Sequence, residues 1–84
     1  MNEDRKSSLS VIIQGQEYKI IDDKGHNYLR TVAAHVDDIM NKISQAYPQL
    51  DSKKIAVLTA INISDEYFQL KHEYDELLKL FEEK

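Results

Sequence analysis

The chain contains no cysteine, which removes both the disulfide framework that many short chains rely on and any thiolate metal site. Glycine occurs only at Gly15 and Gly25, so there is no glycine-rich loop to cradle a phosphate. No apolar run approaches the roughly 20 residues of a membrane span, and the opening "MNEDRKSSLS" lacks the apolar core of a signal peptide. A cytoplasmic protein without a membrane partner is expected. Length is also in short supply. A domain of 84 residues buries only about 60% of the surface its unfolded chain exposes, so a partner is expected to help.

What charge there is lies unevenly. Residues 1–54 hold eight Lys/Arg and eight Asp/Glu, and residues 55–84 hold three Lys and seven Asp/Glu, giving 0 and −4. A neutral head precedes an acidic tail, and an acidic chain is a poor phosphate binder, so nucleic acid is not an expected partner.

Residues 1–8 are polar and without period, which predicts a disordered arm. From Leu9, the segment "LSVIIQGQEYKII" alternates: Leu9, Val11 and Ile13 share one face of a first strand, Tyr18 and Ile20 one face of a second. Gly15-Gln16 between them suits a two-residue type II′ turn. A lone hairpin is marginal in water, so a helix or partner must cover it. A helix is predicted from about His26 or Asn27 to just before Pro48, with Leu29, Val32, Val36, Ile39, Ile43 and Ala46 recurring at steps of three or four. Asp51 or Ser52 can cap the helix that follows, predicted over residues 52–83.

That last helix carries Ala56, Ala60, Ile63, Tyr67, Leu70, Tyr74, Leu77 and Phe81, an unbroken heptad seam. Between Ile55 and Ile63 the seam is joined by Val57, Leu58 and Ile61 on other faces. This stretch needs cover from both its own head and a second chain, whereas beyond Ser64 a single stripe persists, as expected of a helix that touches only other helices. The fold expected is therefore α+β and dimeric: an N-terminal β-hairpin, one amphipathic helix, and a long coiled-coil helix. Residues 9–54 form the head and 55–84 the long helix. Val36, Ile39, Ile43, Ala56, Ala60, Ile61 and Ile63 are the expected dimer interface; Tyr67, Leu70, Tyr74, Leu77 and Phe81 are the expected coiled-coil seam. Tyrosine and phenylalanine are bulky for a two-stranded seam, which points to pairing of two dimers.

No catalytic constellation emerges. "HEYDE", His72 to Glu76, has a glutamate where a zinc-protease helix needs its second histidine, and reads as a solvated face. "NIS", Asn62 to Ser64, matches a glycosylation acceptor but falls mid-helix. Asp37 and Asp38 point about 100° apart on a helix and suit surface or interface pairing better than an acid/base dyad. His26 and His35 have no nucleophile pattern around them. Asn62, alone among apolar neighbours, reads either as a buried group that fixes register or as the exposed edge of the helix, with the buried role favoured. A non-enzymatic protein without cofactor or metal is expected.

The order of elements, together with "IIQGQEYKI", "VAAHVDDIMNKI" and above all "AVLTAINISDEYFQLK", resembles the ZapA family of bacterial cell-division proteins in its short, Gram-positive form. The resemblance runs from about Leu9 to the end. It implies a protein at the midcell division site that binds the tubulin-like GTPase FtsZ, cross-links its protofilaments, and self-associates as a dimer or a dimer of dimers. It also turns attention to the basic residues of the head. Arg30, Lys42, Lys53 and Lys54 are the candidates for meeting FtsZ on charge and position, since Gln16 stands where some members carry a basic residue after the hairpin glycine. A coiled-coil adaptor for another cytoplasmic partner is the alternative that the residues themselves leave open.

Overall fold

Alternating apolar residues and a tight turn produce the first two elements, β1 (Ser7–Ile13) and β2 (Gln16–Asp22), paired antiparallel with Leu9 opposite Ile20 and Val11 opposite Tyr18. The structure, a computed structural model, describes residues 7–82. The arm expected over 1–8 lies outside the described residues except for Ser7 and Ser8. Those two belong to β1, because β2 continues to Asp22 and gives Ser7 a partner.

The turn differs from the expected Gly15-Gln16 pair. Its central residues are Gln14 and Gly15, with φ of 53° and 78°, the signature of a type I′ turn. Gly15 adopts the left-handed region freely, while Gln14 has a Cβ and does so only against a steric cost. The change slides the pairing by two residues and so leaves every side chain on its expected face. Val11 is buried, whereas Ile12, its neighbour on the other face, is 61% exposed.

Helix α1 (His26–Ala46) packs on β1. It begins after Gly25, whose left-handed φ of 93° turns the chain and whose carbonyl accepts from the Leu29 N–H at 3.1 Å; no side chain caps it. It ends at Tyr47, just before Pro48, which has no N–H to continue the ladder. Its buried positions are Leu29, Ala33 and Ile39. The next start is better capped. Asp51 Oδ1 accepts from the Lys54 N–H at 2.9 Å, so of the two candidates it is Asp51 that caps α2 (Ser52–Glu82).

The chain divides between Leu50 and Asp51 into two compact units. In the second, α2 has 31 residues, about 46 Å at 1.5 Å per residue. Ile55 and Thr59 are buried, and the Thr59 hydroxyl is satisfied by donating to the Ile55 carbonyl at 2.8 Å. Asn62 is exposed on this single chain.

Candidate functional site

Three groups of residues could meet a partner: the apolar stripe of α2, the polar clasp between hairpin and α1, and the basic side chains. The stripe is the most extended. Tyr67, Leu70, Tyr74, Leu77 and Phe81 are exposed to between 53% and 70%, and they recur at heptad spacing along one side of α2. Phe68, beside the stripe, packs edge-on against Tyr67 with ring centroids 5.0 Å apart. Polar pairs one turn apart occupy the remaining surface. Gln69 Nε2 donates to Asp65 Oδ2 at 2.8 Å, and Lys71 Nζ lies 3.4 Å from Asp75 Oδ2. His72 and Glu76, the ends of "HEYDE", face each other at 3.6 Å as one more exposed i, i+4 pair. Among the described residues no cluster of His, Asp and Glu is arranged to hold a metal. Nor is any described helix long and apolar enough to cross a membrane.

The seven expected interface residues divide. Ile39 is already buried by its own chain, Val36, Ile43 and Ile63 are half-buried, and Ala56, Ala60 and Ile61 are exposed, Ile61 to 60%. The chain alone thus leaves most of this surface incomplete.

Asp37, Asn41 and Gln14 form a closed ring of hydrogen bonds that sequence reasoning missed. The Gln14 N–H, freed by the turn, donates to Asp37 Oδ1 at 2.8 Å; Asn41 Nδ2 donates to Asp37 Oδ2 at 3.3 Å; and Gln14 Nε2 donates to Asn41 Oδ1 at 2.6 Å. The ring ties the strained tip of the hairpin to the middle of α1. A signal was present: Ala33, Asp37 and Asn41 fall four apart, so two polar groups continue the line of a buried alanine. Asp38 points elsewhere and pairs with Lys42 at 3.1 Å on the exposed side.

The basic residues do not converge on one spot. Arg30 and Lys42 both belong to α1 but lie twelve residues apart, about 18 Å of rise. Lys53 and Lys54 belong to the other unit, in the first turn of α2, where the aligned peptide dipoles are already positive and no acidic residue accompanies them. Asp51 alone relieves that end. Lys19 is exposed on β2, opposite Ser10. Acidity gathers at the end of β2 instead, where a hydrogen bond shared with the Asp23 side chain, then the Asp23 N–H at 2.6 Å and the nearby Lys24 ammonium, hold the Asp22 carboxyl below its usual range.

Comparison with known proteins adds the context that geometry lacks. A family model described as "Cell division protein ZapA" matches residues 9–84. A "Cell division protein ZapA" of Geobacillus sp. (strain WCH70) is 49% identical, with all of this chain aligned to 98% of that protein. One from Bacillus thuringiensis (strain Al Hakam) is 41% identical, covering 87% of this chain and 82% of its own. Among solved structures, "ZapA mutant dimer from Geobacillus stearothermophilus" superposes with a TM-score of 0.75 at 43% identity, over 99% of this chain and 96% of that one.

Proposed function

The chain belongs to the ZapA family of cell-division proteins, and from that membership we propose that it acts as a symmetric homodimer that binds FtsZ, bundles its protofilaments and stabilises the division ring. The observation that carries this reading is the length of unsatisfied apolar surface on α2, running from Val57 to Phe81. Each of these side chains contributes roughly 1.5–3 kcal/mol when fully buried, and a second copy of the helix would supply that burial. The dimer of the Geobacillus stearothermophilus relative supports the same assembly. In the proposed dimer of this chain, Val36, Ile39, Ile43, Ala56, Ala60, Ile61 and Ile63 line the contact between protomers. The seam from Tyr67 to Phe81 extends it as a coiled coil that also serves to join two dimers. Residues 9–54 act as the head and 55–84 as the connecting helix.

Bundling then requires no catalysis and no cofactor. A dimer presents each surface twice, so a weak contact to FtsZ on each head becomes a two-site cross-link whose second contact forms at high effective concentration. The protein would work in the cytoplasm at midcell. Arg30, Lys42, Lys53 and Lys54 are the side chains assigned to that contact, with Lys53 and Lys54 reinforced by the positive end of α2.

Sedimentation of FtsZ filaments with GTP, with and without the protein, tests the function. Wild type should co-sediment and thicken the filaments, and the effect should weaken as salt rises from about 50 to 300 mM because exposed charge contacts are screened. The double reversal Lys42→Glu/Lys53→Glu should abolish bundling while the melting temperature stays within a degree or two of wild type. Unchanged bundling by that variant would move the contact off the basic residues, and no co-sedimentation by wild type would leave an adaptor for another partner.

A further inference from the structure

Among the described residues the sheet has two strands, each with one edge that no described strand covers, and the two edges are built differently. β2, "QEYKIID", carries Glu17, Lys19 and Asp22, charges of the kind that keep an edge from pairing with other chains. β1, "SSLSVII", has neither a charge nor a proline along its whole length. Ile13 and Gln16 flank the two-residue loop and form a hydrogen-bonded pair, so the alternation of an antiparallel ladder makes Val11–Tyr18 and Leu9–Ile20 hydrogen-bonded as well. The N–H and C=O of Ser10 and Ile12 are therefore turned away from β2. Among the described residues no other main-chain group takes them up.

Along this edge lies an open groove of about 310 Å³. Its strand wall is Ser10 to Ile12 and its helix wall is Arg30, Ala33, Ala34 and Asp37. The two alanines keep the wall low. Of the two charged residues, Asp37 is occupied by Gln14 and Asn41, whereas no hydrogen bond or ion pair engages Arg30 among the described residues. The charge that the groove offers a visitor is consequently positive. From Arg30 to Asp37 is about 10.5 Å of helix, the length of about three residues of extended chain.

We infer that the free edge of β1 is a docking site for an extended peptide segment bearing an acidic side chain. The segment joins the sheet as a third strand on the main-chain groups of Ser10 and Ile12, and its carboxylate pairs with the Arg30 guanidinium. A helix has no spare main-chain groups to satisfy that edge, and a purely apolar segment leaves Arg30 without a counter-charge. This goes beyond the binding of FtsZ proposed above and shares only Arg30 with it.

The probe is an acetylated and amidated hexapeptide, Thr-Val-Glu-Val-Thr-Val, titrated into the full-length 15N-labelled chain. Its amide resonances should move at Ser10, Ile12, Ala33 and Ala34, and it should bind at least about tenfold tighter than the same peptide with Lys in place of Glu. Methylating alternate peptide nitrogens should remove binding. Arg30→Gln should erase the preference between Glu and Lys peptides while leaving the hairpin resonances of the free protein in place. Equal binding of the two peptides to wild type, no binding, or shifts confined to α2 would overturn the inference. So would strong protection of the Ser10 and Ile12 amides from hydrogen exchange without peptide, which would mean that a second copy already covers the edge. Since FtsZ is absent from every arm, failure here is distinct from failure of the co-sedimentation test.

Discussion

The hairpin unit buries Val11, Leu29, Ala33 and Ile39 and fastens its loop with a ring of three side chains, whereas α2 has no buried residue beyond Thr59 in its described part. Both are short of chain for the apolar residues they carry. The first answers with contacts of its own. Among the described residues the second carries eleven large exposed apolar side chains, against six on the hairpin unit, and repeats many of them at heptad spacing. An element whose apolar residues keep such regular order while exposed is specified for a surface it does not itself supply. Substitutions in the two regions should therefore fail in different ways, through assembly in α2 and through local folding in the hairpin unit.

The sharpest break comes at Ile61, exposed to 60% on the single chain. If the chain acted alone, Ile61→Glu would sit within about 0.5 kcal/mol of wild type, as surface changes do. In the proposed dimer it leaves a buried, unpaired carboxylate and costs several kcal/mol. Sedimentation velocity at micromolar concentration should show loss of the dimer, and the urea midpoint should fall with it. A second break lies further along. Leu70, 67% exposed, sits where the stripe has narrowed to the seam, so Leu70→Glu should spare the dimer and stop its association into larger assemblies. Superimposable concentration series for wild type and this variant would remove the second level of assembly.

Helix boundaries were legible because their signals are local: the steps of three and four from Leu29, Pro48 as a stop, and Asp51 as a cap. That one unbroken helix carries residues 56–81 was legible for the same reason. The hairpin turn was not, because its geometry is decided at long range. Glycine first is the local pattern, but the observed turn places Gln14 in a left-handed conformation that its own chemistry does not favour, and Asp37, 23 residues away in sequence, holds it there. Asn62 was legible only as a pair of alternatives, a buried group that fixes register or the exposed edge of the helix, because its surroundings are completed by a second chain; on one chain it is exposed, as is its neighbour Ile61. Candidate contact residues were legible only as types. Charge named Arg30, Lys42, Lys53 and Lys54, but composition carries no information on Lys42 being paired with Asp38.

Asp37 and Asp38 bring the comparison down to adjacent residues. Asp37→Ala should cost about 1–3 kcal/mol, since it strands the Gln14 N–H and removes what offsets the turn's strain. Asp38→Ala breaks an exposed i, i+4 pair with Lys42 and should cost no more than about 0.5 kcal/mol. Thermal unfolding of the two variants side by side decides this, and equal losses would dissolve the distinction between the ring and the surface pair. Gln14→Gly in the Asp37→Ala background should recover part of the loss, because glycine enters the left-handed region without a Cβ clash.

Between those two losses lies the one expected at the start of α2, where the second unit depends on a contact of its own. Asp51 accepts from the Lys54 N–H and places the one negative charge beside a positive helix end that also holds Lys53 and Lys54. Asp51→Ala removes both contributions and should lower stability by about 1 kcal/mol. Asp51→Ser keeps the hydrogen-bond acceptor without the charge, so it should recover most of that loss, and the remainder should shrink as salt screens the dipole. Melting curves of the three proteins at low and high salt read both effects. Ser52 is the natural rival for the cap, one residue further on. If Asp51→Ala proves neutral, the helix has restarted from Ser52 with one residue fewer, and the first turn of α2 owes nothing specific to Asp51.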